Sequence, residues 1–262
     1  MQVKKTYRKA AALFVVAMIF ALSHHWQQVS GQVLRRHSDS DADRITKIYT
    51  LQESHGPVLE VVFREGKEHN HPLMAVWIED TAGQYIRTLY VAESIGRGVF
   101  RHGDPSEGRW KPGPIRRPAA LPYWGHQRGI RAEDGYYLPT VENPVPDAIT
   151  GPTPKGSFVL NSNAGPDVPA KFNVLMEINQ SWNWNEYWTN NKFPGDEHYM
   201  TSSQPALVYM ALVDLYDGVV DYELTPIGHS HWSGQNGKLY EDLGTITTAL
   251  DIAETIMVRF PD

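Results

Sequence analysis

The chain has 262 residues, enough for one large domain or two small ones, and its 41% hydrophobic and 11% aromatic content can fill a core, which excludes wholesale disorder. A net charge of −6 argues against phosphate-backbone binding, which needs a basic face. The absence of Cys excludes disulfides, thiolate metal sites, cysteine nucleophiles and thioether haem attachment.

Lys4, Lys5, Arg8 and Lys9 precede the apolar run from Ala10 to Leu22. That run is short for a bilayer span, where about 20 residues are needed. With Ala21, Leu22 and Ser23 placed for cleavage before His24, residues 1–23 are expected to be a signal peptide and the mature chain periplasmic or otherwise extracytoplasmic. Left uncleaved, the same segment would be the one contact with a membrane. Removing it takes away four cations and no anions, so −6 becomes −10. Residues 24–44 are polar and read as a tether, followed by one domain over 45–262.

Beyond the tether the chain is written in short strands. Val58 to Arg64, Leu73 to Glu79 and Tyr85 to Val91 are strand candidates, the last two joined by a hairpin loop at Asp80 to Gln84. The stretch of about 96–154 is rich in Gly, Pro and Arg with little periodicity. It reads as a long inserted loop rather than a second domain. A strand is expected at Ser157 to Leu160. Phe172 to Asn179 alternates, with Phe172, Val174, Met176 and Ile178 on one face and Asn173, Leu175, Glu177 and Asn179 on the other. Ala206 to Leu215 is almost wholly apolar, as in a strand covered on both faces. Asp217-Gly218 predicts a hairpin into Val219 to Leu224, and Thr247 to Glu254 a short C-terminal helix before a last strand, Thr255 to Phe260. The fold class is therefore all-β, a β-sandwich with a long inserted loop.

Three constellations carry chemistry. Asp147, Thr150, Gly151 and Thr153 form a Pro/Gly-rich turn whose plain role is local hydrogen bonding. His229 and His231, two residues apart, would project from one face of a strand and reach one metal ion; His69 and His71 repeat the spacing. Trp182, Trp184 and Trp188 are interleaved with Asn183, Asn185, Glu186 and Tyr187. Such aromatic planes among amides and carboxylates suit a flavin ring or a sugar face. No nucleophile elbow, zinc-hydrolase motif, phosphate loop or dinucleotide fingerprint is present, so a stand-alone enzyme is not expected.

Two segments, His71 to Asp80 continuing through Ile86-Arg87-Thr88-Leu89, and Pro146 to Gly156, resemble the bacterial predicted periplasmic protein family called domain of unknown function 2271, over about residues 70–180. That resemblance implies an immunoglobulin-like β-sandwich. The second segment is also similar to the acceptor motif of proteins that receive covalent flavin mononucleotide (FMN). By that likeness Thr153 would be the esterified residue, with Asp147, Thr150 and Gly151 completing the motif. Pro152 stands where the motif usually has Ala, and Pro154 follows. The implied role is an accessory or carrier in extracytosolic flavin-linked electron transfer, served by a periplasmic flavin transferase and a membrane redox protein, with Trp182, Trp184 and Trp188 against the ring. The alternatives are a non-catalytic glycan- or protein-binding module and a metal-binding protein using His229 and His231.

Overall fold

A computed structural model describes residues 45–146 and 149–261. The expected signal peptide, the tether and Asp147 lie outside the described residues. Among the described residues no helix is long and apolar enough to cross a membrane.

The chain is mostly β, in two large sheets of mixed topology. One contains, in spatial order, β1 (Thr46–Tyr49), β8 (Phe158–Asn163), β2 (Val58–Glu65), β13 (Ala253–Arg259) and β11 (Asp221–Glu223). The other runs β12 (Thr225–His229), β10 (Leu207–Asp214), β9 (Lys171–Asn179), β3 (Leu73–Asp80), β4 (Tyr85–Ala92) and β7 (Thr150–Gly151). Two pairs are parallel, β1 with β8 and β4 with β7.

Both sheets contribute to one core. Leu59, Val61 and Phe63 of β2, with Phe158, Leu160, Ile256 and Val258 beside them, pack with Met74, Val76 and Ile78 of β3, Phe172, Val174, Met176 and Ile178 of β9, and Leu207 and Val213 of β10. The alternation in β9 fixes which face turns inward, because a strand shows successive side chains to opposite sides.

The six-stranded sheet is also covered on its outer face. Leu73, Ala75 and Trp77 of β3, Val91, Leu175 and Val208 join Ile95, Ala120, Leu121, Trp124, Leu138 and Val145 in a second core. This explains the unbroken apolar run of β3, which is buried on both faces. The stretch read as a long inserted loop, about 96–154, carries secondary structure of its own and contributes to this second core. The insertion holds the end of α1 (Glu93–Arg97), the hairpin of β5 (Val99–Asp104) and β6 (Lys111–Pro114), α2 (Pro122–Arg128) and β7. Its few large apolar residues suffice because the sheet supplies the rest of the core. The hairpin is closely packed: a Cβ on Gly103 would lie 2.1 Å from the Gly113 carbonyl oxygen.

Two further expectations fail. Asp217-Gly218 does turn the chain, but β11 pairs with β13 of the other sheet and β10 is flanked by β9 and β12. The turn is thus a crossover between sheets rather than a hairpin. Thr247 to Glu254 is not a helix: the chain turns through Thr247 to Ile252, and Ala253 and Glu254 already belong to β13. There the Gln204 side-chain oxygen accepts from the Thr247 N–H at 3.0 Å, and the Asp251 and Ile252 carbonyls accept from Glu68 and Gly66. The local bonds run only three residues back, from the Leu250, Asp251 and Ile252 N–H groups to the Thr247, Thr248 and Ala249 carbonyls, and the chain then enters β13.

Candidate functional site

The aromatic loop leaves β9 at Asn179 and returns through α3 (Glu197–Ser202) to β10. Its backbone is pinned at the base. The Trp182 N–H donates to the Thr201 carbonyl at 3.3 Å, the Asn183 N–H to the Ser202 carbonyl at 3.1 Å, and the Gln204 N–H back to the Asn183 carbonyl at 3.2 Å. Arg117, from the insertion, donates to the Ser181 hydroxyl at 2.8 Å and to the Thr201 carbonyl at 2.6 Å. Asn185 braces the middle: its oxygen accepts from the Tyr187 and Trp188 N–H groups, and its amide donates to Thr245 and Thr247. Asp196 accepts from the Tyr199 N–H at 3.0 Å and so caps α3.

On this frame the tryptophans divide. Trp182 and Trp184 are 65% and 47% exposed and Tyr187 50%, whereas Trp188 is only 4% exposed. The Trp188 indole N–H donates to the Thr245 hydroxyl at 3.1 Å, and its ring meets His229, Tyr199 and Trp232 at centroid separations of 6.0–6.4 Å. Trp188 is therefore a core residue and not part of an open platform. Trp182 has φ of 55°, a left-handed conformation that is unfavourable for a bulky side chain. The loop supports that conformation through its pinned base, and the indole stays in solvent. Glu186, Asn190 and Asn191 are exposed alongside. Lys192 Nζ lies 3.3 Å from the centroid of the Tyr187 ring.

His229 ends β12, and His231 lies beyond the strand, so strand alternation does not set their directions. Both are buried. His229 stacks on Tyr240 and His231 on Trp232, and each Nδ1 is engaged, with the Ser230 carbonyl and with Ser233 respectively. Burial holds both imidazoles below their ordinary pKa, and does the same to His69. Among the described residues no group of three or more His, Cys, Asp or Glu converges as a metal site would require.

The Thr150-Gly151 segment forms β7, the edge strand beside β4. The Tyr90 hydroxyl donates to the Pro152 carbonyl at 3.0 Å, and a Cβ on Gly151 would come within 2.9 Å of the Tyr90 ring. Glycine is required at 151 by that ring. Pro152 is exposed and Thr153 half-buried. Five strand spacings of about 4.8 Å separate β7 from β12, so the structure does not bring Thr153 to the Trp188–His229 cluster; the two lie at opposite edges, roughly 24 Å apart.

Sequence reasoning missed the carboxylate of Glu177, which is fully buried at the centre of β9. It accepts from the Tyr123 N–H at 3.2 Å and the Trp124 N–H at 2.8 Å, the first turn of α2. The N-cap of α2, Leu121, has no side-chain acceptor of its own, so a distant strand supplies the cap. Burial pushes the Glu177 carboxyl up to about 8, against the lowering effect of those N–H groups and the Ser230 hydroxyl. Glu79 is raised as well, again by burial, with its oxygen accepting from the Trp77 indole at 2.7 Å. The signal was available in the sequence as an acid inside an otherwise apolar strand, Val174-Leu175-Met176-Glu177-Ile178.

No family model, curated protein or solved structure matches the chain. The likeness over 71–89 and 146–156 accordingly rests on those two segments.

The raised carboxyl of Glu177 gives a pH dependence of definite sign. Between its ordinary value of 4.5 and about 8 the native state holds a proton that the unfolded chain has released, so stability falls as pH rises through that window. The slope from this group reaches at most about 1.4 kcal/mol per pH unit. The depressed histidines act oppositely, and their contribution is lost as pH falls below 6.5. Urea unfolding of the wild type and Glu177→Gln at pH 5 to 8 isolates the first effect: the wild type loses stability relative to the variant as pH rises. A constant difference across the range contradicts it.

Proposed function

We propose that the protein is a non-catalytic binding module that presents the loop 181–197 to a neutral glycan. The observation that carries this reading is that Trp182, Trp184 and Tyr187 remain about half exposed or more on a loop whose backbone is fixed by Arg117, Asn185 and Asp196. Exposed rings on a pre-ordered frame lose little entropy on binding, and their faces suit the C–H faces of a sugar. The adjacent Glu186, Asn190 and Asn191 side chains supply acceptors and donors for hydroxyl groups. On this reading the two sheets are an immunoglobulin-like sandwich, a scaffold that commonly carries its binding residues on end loops. The exported location expected from residues 1–23 is part of the same proposal.

A second reading, FMN esterified to Thr153, draws on the edge position of β7 and the exposure of Pro152. It has less support, because Trp188 is buried at the far edge of the sheet and is not available to stack on that flavin. In-gel flavin fluorescence after co-expression with a flavin transferase, lost in Thr153→Ala, tests it; a colourless product sinks it.

For the glycan reading, titration with cellohexaose, chitohexaose and maltohexaose is expected to change tryptophan fluorescence with at least one of them. Trp184→Ala weakens that binding at least about tenfold. Its unfolding free energy falls by no more than about 1.5 kcal/mol, because about half of the ring is already in solvent. Wild-type affinity in Trp184→Ala, or no response to any of the three sugars, rejects the proposal.

A further inference from the structure

The insertion carries a cleft of about 690 Å³ on the side of the molecule built by β6, the C-terminal end of α2 and residues 130–143. That volume falls within the range of small-molecule sites. Three arginines line it, and they are not equivalent. Arg116 is satisfied: its guanidinium forks onto Asp134, with Nε 2.5 Å from one carboxylate oxygen and Nη2 3.2 Å from the other, and it also donates to the Leu138 and Pro139 carbonyls. Arg131 donates through Nε to the Gly135 carbonyl at 3.0 Å. Arg128 has no such acceptor. Its guanidinium carbon stands 4.8 Å from the centroid of the Trp124 ring, and Nη1 is buried with no hydrogen-bond partner.

An unpaired, desolvated guanidinium is costly to hold, and arginine stays charged rather than releasing its proton. Burial lowers the Arg128 pKa, in keeping with that environment. The wall around it is mixed, and its apolar part is formed by buried Leu138 and by Ile130 and Val141, which are presented at the cleft. The acids of the cleft limit the charge of a ligand. Asp134 is spent on Arg116, and the remaining Glu133 and Glu142 balance Arg128 and Arg131 in number. The lining is therefore net neutral, so a dianion would leave two uncompensated charges and a monoanion one, which favours the smaller charge.

We propose that this cleft binds a small organic monocarboxylate with an apolar body, its carboxylate taken by Arg128 and its body laid against Ile130, Leu138 and Val141. The site is separate from the aromatic loop and does not depend on the glycan reading.

Isothermal titration calorimetry of the full chain with hexanoate, hexanamide and inorganic phosphate tests the assignment. Hexanoate is expected to bind saturably, with hexanamide and phosphate at least about tenfold weaker, since the amide cannot make the charge-assisted hydrogen bond and phosphate has no apolar body to lay against Ile130, Leu138 and Val141. Arg128→Gln is expected to weaken hexanoate by about 10- to 100-fold. Arg128 packs on Trp124, so Val141→Trp serves as the second variant: it fills the cleft from an exposed position, leaves Arg128 in place, and is expected to abolish hexanoate binding. The proposal is overturned if hexanoate fails to bind at about 10 mM, a weak limit for any specific site. It is equally overturned if hexanamide or phosphate binds as tightly, or if either variant, folded by its melting transition, keeps wild-type affinity.

Discussion

One carboxyl group joins the insertion to the sheet beneath it. Glu177 sits at the middle of β9 with no exposed surface, and the groups that reach it are the first N–H groups of α2. A buried carboxyl in an apolar layer is unfavourable unless its oxygens are occupied, and a helix start carries N–H groups that need acceptors. Each therefore satisfies the other's requirement. Pro122 at the first turn, which donates no hydrogen bond, and Gly129 closing the helix at φ of 72° set the length of the element that Glu177 holds. Trp124 follows directly, and its indole donates to the Thr88 hydroxyl of β4 at 2.9 Å. The helix is thus tied to β9 and β4, the two strands that flank β3, and the second core closes over Trp77.

This attachment has consequences at both ends of the insertion. Upstream of α2, Arg117 reaches the Ser181 hydroxyl and the Thr201 carbonyl, and so fixes the base of the aromatic loop. Downstream, Arg128 is left over the Trp124 ring at the wall of the cleft. A segment that carries two partly buried arginines without carboxylate partners, Arg117 and Arg128, needs a firm anchor, because their desolvation opposes its docking. The second core and the Glu177 clamp provide it.

The strands that were legible in the sequence are those whose burial left a simple pattern. β9 alternates because its inner face meets the main core, and β3 is continuously apolar because both of its faces are covered. β1 and β12 are short, and β12 contains Pro226 and Gly228, so neither leaves a periodic trace. The turn at Asp217-Gly218 was visible because turn chemistry is local; its strand partner was not, because pairing with β13 depends on where the other sheet lies. The expected C-terminal helix failed for a similar reason, as Ala253 and Glu254 are drawn into β13, whose partner β2 lies far away in sequence. In the candidate site, spacing identified the aromatic loop but treated Trp184 and Trp188 alike. Only the partners of Trp188, His229 and Trp232, separate a core ring from an exposed one. Glu177 left a trace as an acid within an apolar strand, but its partner in α2 left none, and Arg128, a lone charged residue, reveals neither its burial nor its stacking on Trp124.

Hydrogen exchange of the Tyr123 and Trp124 amides in the wild type and Glu177→Ala tests the clamp most directly. The account predicts that removing the carboxylate speeds exchange at these two amides and across α2, while the amides of β2 and β13 in the opposite sheet keep their protection. Unchanged protection at Tyr123 and Trp124 in a folded Glu177→Ala protein would contradict it, and would leave α2 held by apolar packing alone.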